Sequence, residues 1–302
     1  MAITDDPELM NLLTKIHDEK GLDFTQYKEA TLLRRINTRL TRRGVSSYAD
    51  YAGILDREPE EYRELFDALT INVTEFFRNT EAFEAIERKV IPAVICSKRS
   101  QRHRIIRAWS CGCSSGDEPY SMAMLFLEKL GDARKDFLIT IIGSDIDKGA
   151  LAEAKDMVYS GERLKAVEKD MLAKYFDKAA GESFKLKNRV ASMVRFRHHD
   201  IVRDQPFLHC DIILCRNLLI YFNKQLQEEV LLKFYECLNP GGYLVLGMVE
   251  SLAGSSAGMF ENVDNRLRIY RRPQSHPDKS GRSAVLSQED IDRIVDDMLG
   301  KE

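Results

Sequence analysis

From Arg104 onward the chain alternates short apolar runs, each ending in Gly, Ser or Asp, with amphipathic stretches, and no other feature constrains its fold as strongly. Strands covered by helices on both faces are continuously apolar, so this texture predicts a doubly wound, mostly parallel α/β sheet. Residues 105–110 make the first expected strand and 118–130 its helix; 137–144 make a second strand, with a helix at 148–156. A third strand at 211–215 leads to a helix at 225–238, the turn Asn239-Pro-Gly-Gly242, a strand at 243–247 and a closing strand at 266–271. Between these units, residues 185–197 alternate apolar and basic side chains, as a half-exposed antiparallel insert does.

The stretch before Arg104 has a different period. Leu9, Leu12, Leu13 and Ile16 recur at helical spacing, as do Tyr62, Leu65, Phe66 and Leu69, and no strand run interrupts residues 8–90. The expected organisation is an all-helical domain at 1–90 and an α/β domain at 91–272 with a β insert at about 178–199, then a linker at 273–285 and an amphipathic helix at 286–302. A length of 302 residues, 44% hydrophobic and 31% charged, suffices for two such domains. A net charge of −3 argues against nucleic acid as a partner of the whole molecule. No basic leader, and no apolar run near the ~18 residues of a membrane span, predicts a cytoplasmic protein without membrane insertion. The six cysteines form no C-x-x-C pair, and Cys111-Gly-Cys113 lacks a second ligand cluster, so reduced thiols and no metal site are expected.

The first strand–helix junction, Trp109-Ser-Cys-Gly-Cys-Ser-Ser-Gly-Asp-Glu118, puts small residues at the carboxyl end of a strand, where open α/β sheets bind ligands. It is not a phosphate loop: the Gly-Lys-Ser/Thr ending is missing, and Asp117 and Glu118 would repel phosphate. A ligand with a sulfonium, an ammonium and a ribose suits it better. The second strand ends in Ser144-Asp-Ile-Asp147, where a carboxylate can accept from both ribose hydroxyls; Asp145 is favoured, because Asp147 can cap the next helix.

Four segments in this order carry a resemblance: Thr70-Ile-Asn-Val-Thr-Glu-Phe-Phe-Arg78, Ser115-Gly-Asp-Glu-Pro-Tyr-Ser121, Ser144-Asp-Ile-Asp147 and Cys215-Arg-Asn-Leu-Leu-Ile-Tyr-Phe222. From about residue 10 to 272 the chain resembles the CheR family of chemotaxis receptor glutamate methyltransferases. The resemblance implies an S-adenosylmethionine-dependent methyltransferase fold, with an N-terminal helical domain that recognises receptors and a small antiparallel β insert. The implied reaction forms glutamate methyl esters and S-adenosylhomocysteine. By similarity, Asn72, Thr74 and Arg78 close over the cofactor, Glu118 binds at or near its methionine portion and Asp145 holds the ribose. Asp200 and Ile201 flank the adenine, although asparagine rather than Asp200 is expected there. Arg216, Asn217 and Leu218 line the methionine side.

A glutamate acceptor is already ionised at neutral pH, its ordinary pKa being about 4.3, so the transfer needs positioning and not a general base. Arg78 and Tyr221 are the candidates to hold that carboxylate. Arg35, Arg39, Arg42 and Arg43 fall at i, i+4, i+7 and i+8 in a segment without acids and are expected to share one basic helix face. The methyl-accepting receptors implied by the resemblance present acidic coiled coils that such a face would fit. The hairpin near 179–187 is short, favouring an enzyme that needs no receptor tether peptide. At the C-terminus, Leu286-Ser-Gln-Glu-Asp-Ile-Asp292 resembles the peptide with which flagellar switch proteins engage the chemotaxis response regulator. That makes the regulator a second candidate partner, and recruitment to receptor arrays is expected.

Overall fold

The computed structural model describes residues 6–20, 24–69, 74–99, 101 and 104–274. Asn72 and the segment 286–302 therefore lie outside the described residues. The chain divides into two compact units, Met1–Val73 with Leu218–Glu229, and Thr74–Asn217 with Val230–Glu302.

The first unit contains α1 (Pro7–Lys20), α2 (Glu29–Arg43), α3 (Tyr48–Arg57) and α4 (Glu60–Leu69). Apolar residues at helical spacing put Leu9, Leu12 and Ile16 of α1, and Leu32, Ile36 and Leu40 of α2, into one core with Tyr51, Leu55 and Leu65. Gly44 ends α2 in the left-handed conformation (φ 70°), its amide turned back to the carbonyls of Leu40 and Thr41. Ser47 caps α3 by accepting from the Asp50 amide at 3.0 Å. The Leu218–Glu229 segment joins this unit through backbone bonds: the Lys28 amide donates to the Tyr221 carbonyl (2.7 Å) and the Asn223 amide to that of Gln26 (2.9 Å).

In the second unit the described residues form a seven-stranded sheet ordered β6-β2-β1-β7-β8-β10-β9. Its strands are β1 (Ile105–Cys111), β2 (Leu138–Asp145), β6 (Val194–His198), β7 (Cys210–Cys215), β8 (Leu238–Leu246), β9 (Glu261–Asp264) and β10 (Ile269–Arg271). Strands β1, β2, β6, β7 and β8 run parallel, while β10 is antiparallel to both β8 and β9. Helices α5 (Thr80–Ala85) and α6 (Ile91–Arg99), joined by a π-helical turn at Ile86–Val90, share a core with the sheet, as does α7 (Asp117–Leu130). The remaining helices are α8 (Lys148–Asp156), α9 (Lys169–Tyr175), α10 (Asn188–Ala191) and α11 (Lys224–Cys237), the last of which crosses the division between units at residue 229. The helical texture of residues 8–90 is thus shared between the two units.

A small antiparallel sheet, β3-β5-β4, is built from Val158–Ser160, Ser183–Leu186 and Phe176–Lys178. The expectation of an antiparallel insert over 185–197 holds only for its first residues. The second half is β6, parallel to β2. Its alternation arises because it is an edge strand, with Val194 buried and Arg195 exposed. No helix among the described residues is long and apolar enough to cross a membrane.

Candidate cofactor site

From β1 the chain steps outward through β2 to β6 on one side, and on the other through β7 to β8, so the order of strand addition reverses between the parallel neighbours β1 and β7. The loops leaving the carboxyl ends of these two strands flank the crevice where open α/β sheets take ligands. The loop after β1 turns through Gly112 (φ 73°), Ser114 (φ 47°) and Gly116 (φ 88°). At Gly116 a Cβ would meet Ala154 Cβ and Phe196 Cζ, both at 2.9 Å, so that position requires glycine by packing as well as by conformation. The amides of Gly112 and Cys113 donate to the Ser144 carbonyl, fastening the loop to the end of β2.

Asp145, the last residue of β2, accepts from the Ser114 amide at 2.7 Å and the Asp147 amide at 2.9 Å, one on each oxygen. With the Ile146 amide also bonded to it, the carboxylate still has acceptor capacity for a ligand hydroxyl. Burial pushes its pKa up, against the pull of the Asp147 and Ser114 amides. Asp147 instead caps α8, accepting from the amides of Gly149 (2.8 Å) and Ala150 (3.0 Å).

Arg216, just past β7, ties several predicted residues together. Its side chain is 2% exposed and donates to Glu118 Oε2 (3.1 Å), the Arg78 carbonyl (2.7 Å) and Asn79 Oδ1 (2.8 Å), with the guanidinium over the Phe83 ring. Glu118 also accepts from Ser110 Oγ at 2.8 Å. The Thr74–Asn79 strap carries two non-glycine residues in the left-handed region, Phe77 (φ 53°) and Asn79 (φ 58°). It is held by the Phe77 amide on Ser121 Oγ and the Phe76 amide on the Arg163 carbonyl. Thr74 bonds to Asp117, which is fully buried and ion-paired with Arg163. Burial raises the Asp117 pKa, and Arg163 opposes it. The sequence pattern singles out neither Asp117 nor Arg163 as a cofactor residue; it marks Asp117 only as a charge that repels phosphate.

Asp200 and Ile201 follow β6, beside Asp145, whose carbonyl accepts the His199 amide at 3.0 Å. Asp200 Oδ1 accepts from the Val202 amide at 2.8 Å, a turn role that aspartate fills as well as asparagine. Ile201 is buried. Asn217 is left-handed (φ 62°) and its amide donates to Glu250 Oε2, a residue sequence reasoning missed. Leu218 and Tyr221 belong to the other unit, where the Tyr221 ring lies 4.8 Å from the Arg35 guanidinium.

The expected arginine face does not form as one surface. Arg35 and Arg39 are buried on the core side of α2. Arg39 is held bidentately by Glu61 (2.7 and 2.8 Å), which also accepts from Tyr51 Oη. Arg43 pairs with Glu58, leaving Arg42 exposed, together with Arg34. The acids that meet Arg39 and Arg43 are Glu61 and Glu64 of α4 and Glu58, the C-cap of α3.

A crevice with strand-end Asp145, loop-side Glu118 and no lysine in the loop fits a ligand that offers a ribose diol and positive groups, not a polyphosphate. Fold and site together define an S-adenosylmethionine-dependent methyltransferase. Residues 72–269 match the family model described as "CheR methyltransferase, SAM binding domain", and residues 7–70 match "CheR methyltransferase, all-alpha domain". The chain belongs to the CheR methyltransferase family, and its cofactor is S-adenosylmethionine. It is 29% identical over 252 residues to the chemotaxis protein methyltransferase of Borreliella burgdorferi, covering 82% of this chain and 89% of that one. With chemotaxis protein methyltransferase 2 of Vibrio cholerae it shares 33% identity over 272 residues, or 87% and 91% of the two chains. The Listeria monocytogenes relative is 31% identical over 77% of this chain and 85% of its own.

Proposed function

We propose that the protein transfers the methyl group of S-adenosylmethionine to glutamate side chains of chemotaxis receptors, leaving glutamate methyl esters and S-adenosylhomocysteine. The observation that carries this reading is that the crevice carboxylates are engaged in positioning: Asp145 by two backbone amides, Glu118 by Arg216 and Ser110. Such a site suits an acceptor that arrives ionised and needs no base.

When bound, the cofactor supplies a methyl group on a positive sulfonium. Asp145 holds its ribose hydroxyls, and Glu118, Asn217 and Leu218 orient the methionine portion, with Arg216 fixing Glu118. Asp200 and Ile201 flank the adenine, while Asn72, Thr74 and Arg78 cover the ligand and exclude water. Arg78 and Tyr221 hold the acceptor carboxylate in line with the methyl carbon and sulfur. Exposed Arg42, one of the four arginines first expected, and Arg34, which was not among them, meet the acidic receptor helices from α2.

The residues 286–302 dock a chemotaxis response regulator, placing the enzyme at receptor arrays; deletion of 284–302 abolishes regulator binding, and undiminished binding would refute this. The decisive experiment incubates the protein with methyl-tritiated cofactor and receptor-containing membranes. Base-labile label on a receptor is expected. Label on another acceptor, or cofactor binding without transfer, would overturn the proposal.

A further inference from the structure

Glu250 lies four residues past β8, and no cofactor role was expected of it, yet it is 4% exposed at the carboxyl edge of the sheet. Its Oε2 accepts from two backbone amides, Asn217 at 2.9 Å and Gly247 at 2.6 Å. Its own amide donates back to the Gly247 carbonyl at 2.9 Å. The packing leaves no slack: a Cβ on Gly247 would stand 2.6 Å from Glu250 Oε2 and 2.9 Å from the Asn217 nitrogen. One carboxylate thus links the turn after β7 to the turn after β8.

The residue it grips has a defined backbone conformation. Asn217 sits at φ 62°, in the left-handed region that asparagine enters more readily than other non-glycine residues, so the contacts on either side need only select it. On one side Arg216 is fixed by Glu118, the Arg78 carbonyl and Asn79. On the other, the Glu250 carboxylate holds the Asn217 amide by a charge-assisted bond in a water-poor place. We propose that Glu250 is a positioning residue: it holds Asn217 in the left-handed conformation that presents it to the methionine end of S-adenosylmethionine. This rests on Asn217 being a cofactor contact.

The test measures S-adenosylhomocysteine binding by titration calorimetry on the full chain for E250A, E250Q and N217A, with thermal unfolding of each. An unmet buried donor at Asn217 is expected to weaken binding by E250A between about fivefold and a hundredfold. E250Q keeps an oxygen for both amides and should restore most of the affinity. In turnover assays the E250A loss should appear mainly in KM for the cofactor. A lowered melting temperature with affinity within about twofold of wild type would make Glu250 structural only and overturn the proposal. If E250A does not fold, E250L decides, since it keeps the bulk but offers the amides no acceptor: affinity weakened fivefold or more while E250Q stays near wild type supports the proposal, and E250L affinity within about twofold of wild type overturns it. Unchanged binding by N217A would defeat the Asn217 assignment itself; loss in N217A without loss in E250A would defeat the Glu250 proposal alone.

Discussion

Arg39 and Glu61 are both about 5% exposed or less, and removing one partner leaves a buried charge without compensation. Arg39→Met should destabilise the helical unit by about 3–5 kcal/mol in chemical denaturation, and adding Glu61→Leu should recover most of that. His199 makes a different prediction. Burial lowers its pKa from 6.5, so unfolding takes up a proton as pH falls. Its contribution is complete above the unfolded value and is lost as pH falls from there through the lowered folded value. His199→Phe should therefore flatten the pH dependence of stability below pH 6.5, as read from denaturation midpoints. The settings of Arg39 and Asn217 are not legible in the sequence. Arg39 finds its partner 22 positions away on another helix, and Asn217 finds Glu250 33 positions away, distances that local periodicity does not reach. Asp145 was legible because its position at a strand end follows from the strand itself.

At the scale of elements, α2 carries its polarity on two sides: inner Arg39, paired with acids of α4, with Arg35 bonded to the Leu69 carbonyl, and an outer pair at Arg34 and Arg42. Reversing the outer pair (Arg34→Glu with Arg42→Glu) should lower kcat/KM for receptor methylation roughly tenfold at low salt and leave S-adenosylhomocysteine binding unchanged. The deficit should shrink at high salt. The parallel strands and their helices were readable because continuous apolar runs leave few alternatives. Strand β6 reads as antiparallel because an edge strand alternates like one, and β3 is missed because three residues offer no period at all.

For the whole molecule, S-adenosylhomocysteine at about a hundred times its dissociation constant should stabilise whatever folded unit binds it by about 2.7 kcal/mol. Scanning calorimetry should show that transition rising with ligand concentration. The return of Leu218–Glu229 to the helical unit bears on how this protein can be recombined with its relatives. A chimaera cut once, after residue 73, would pair a foreign helical segment with this chain's own 218–229. Exchanging receptor preference between relatives by grafting thus calls for two simultaneous crossovers, and single-crossover libraries should be depleted of folded members.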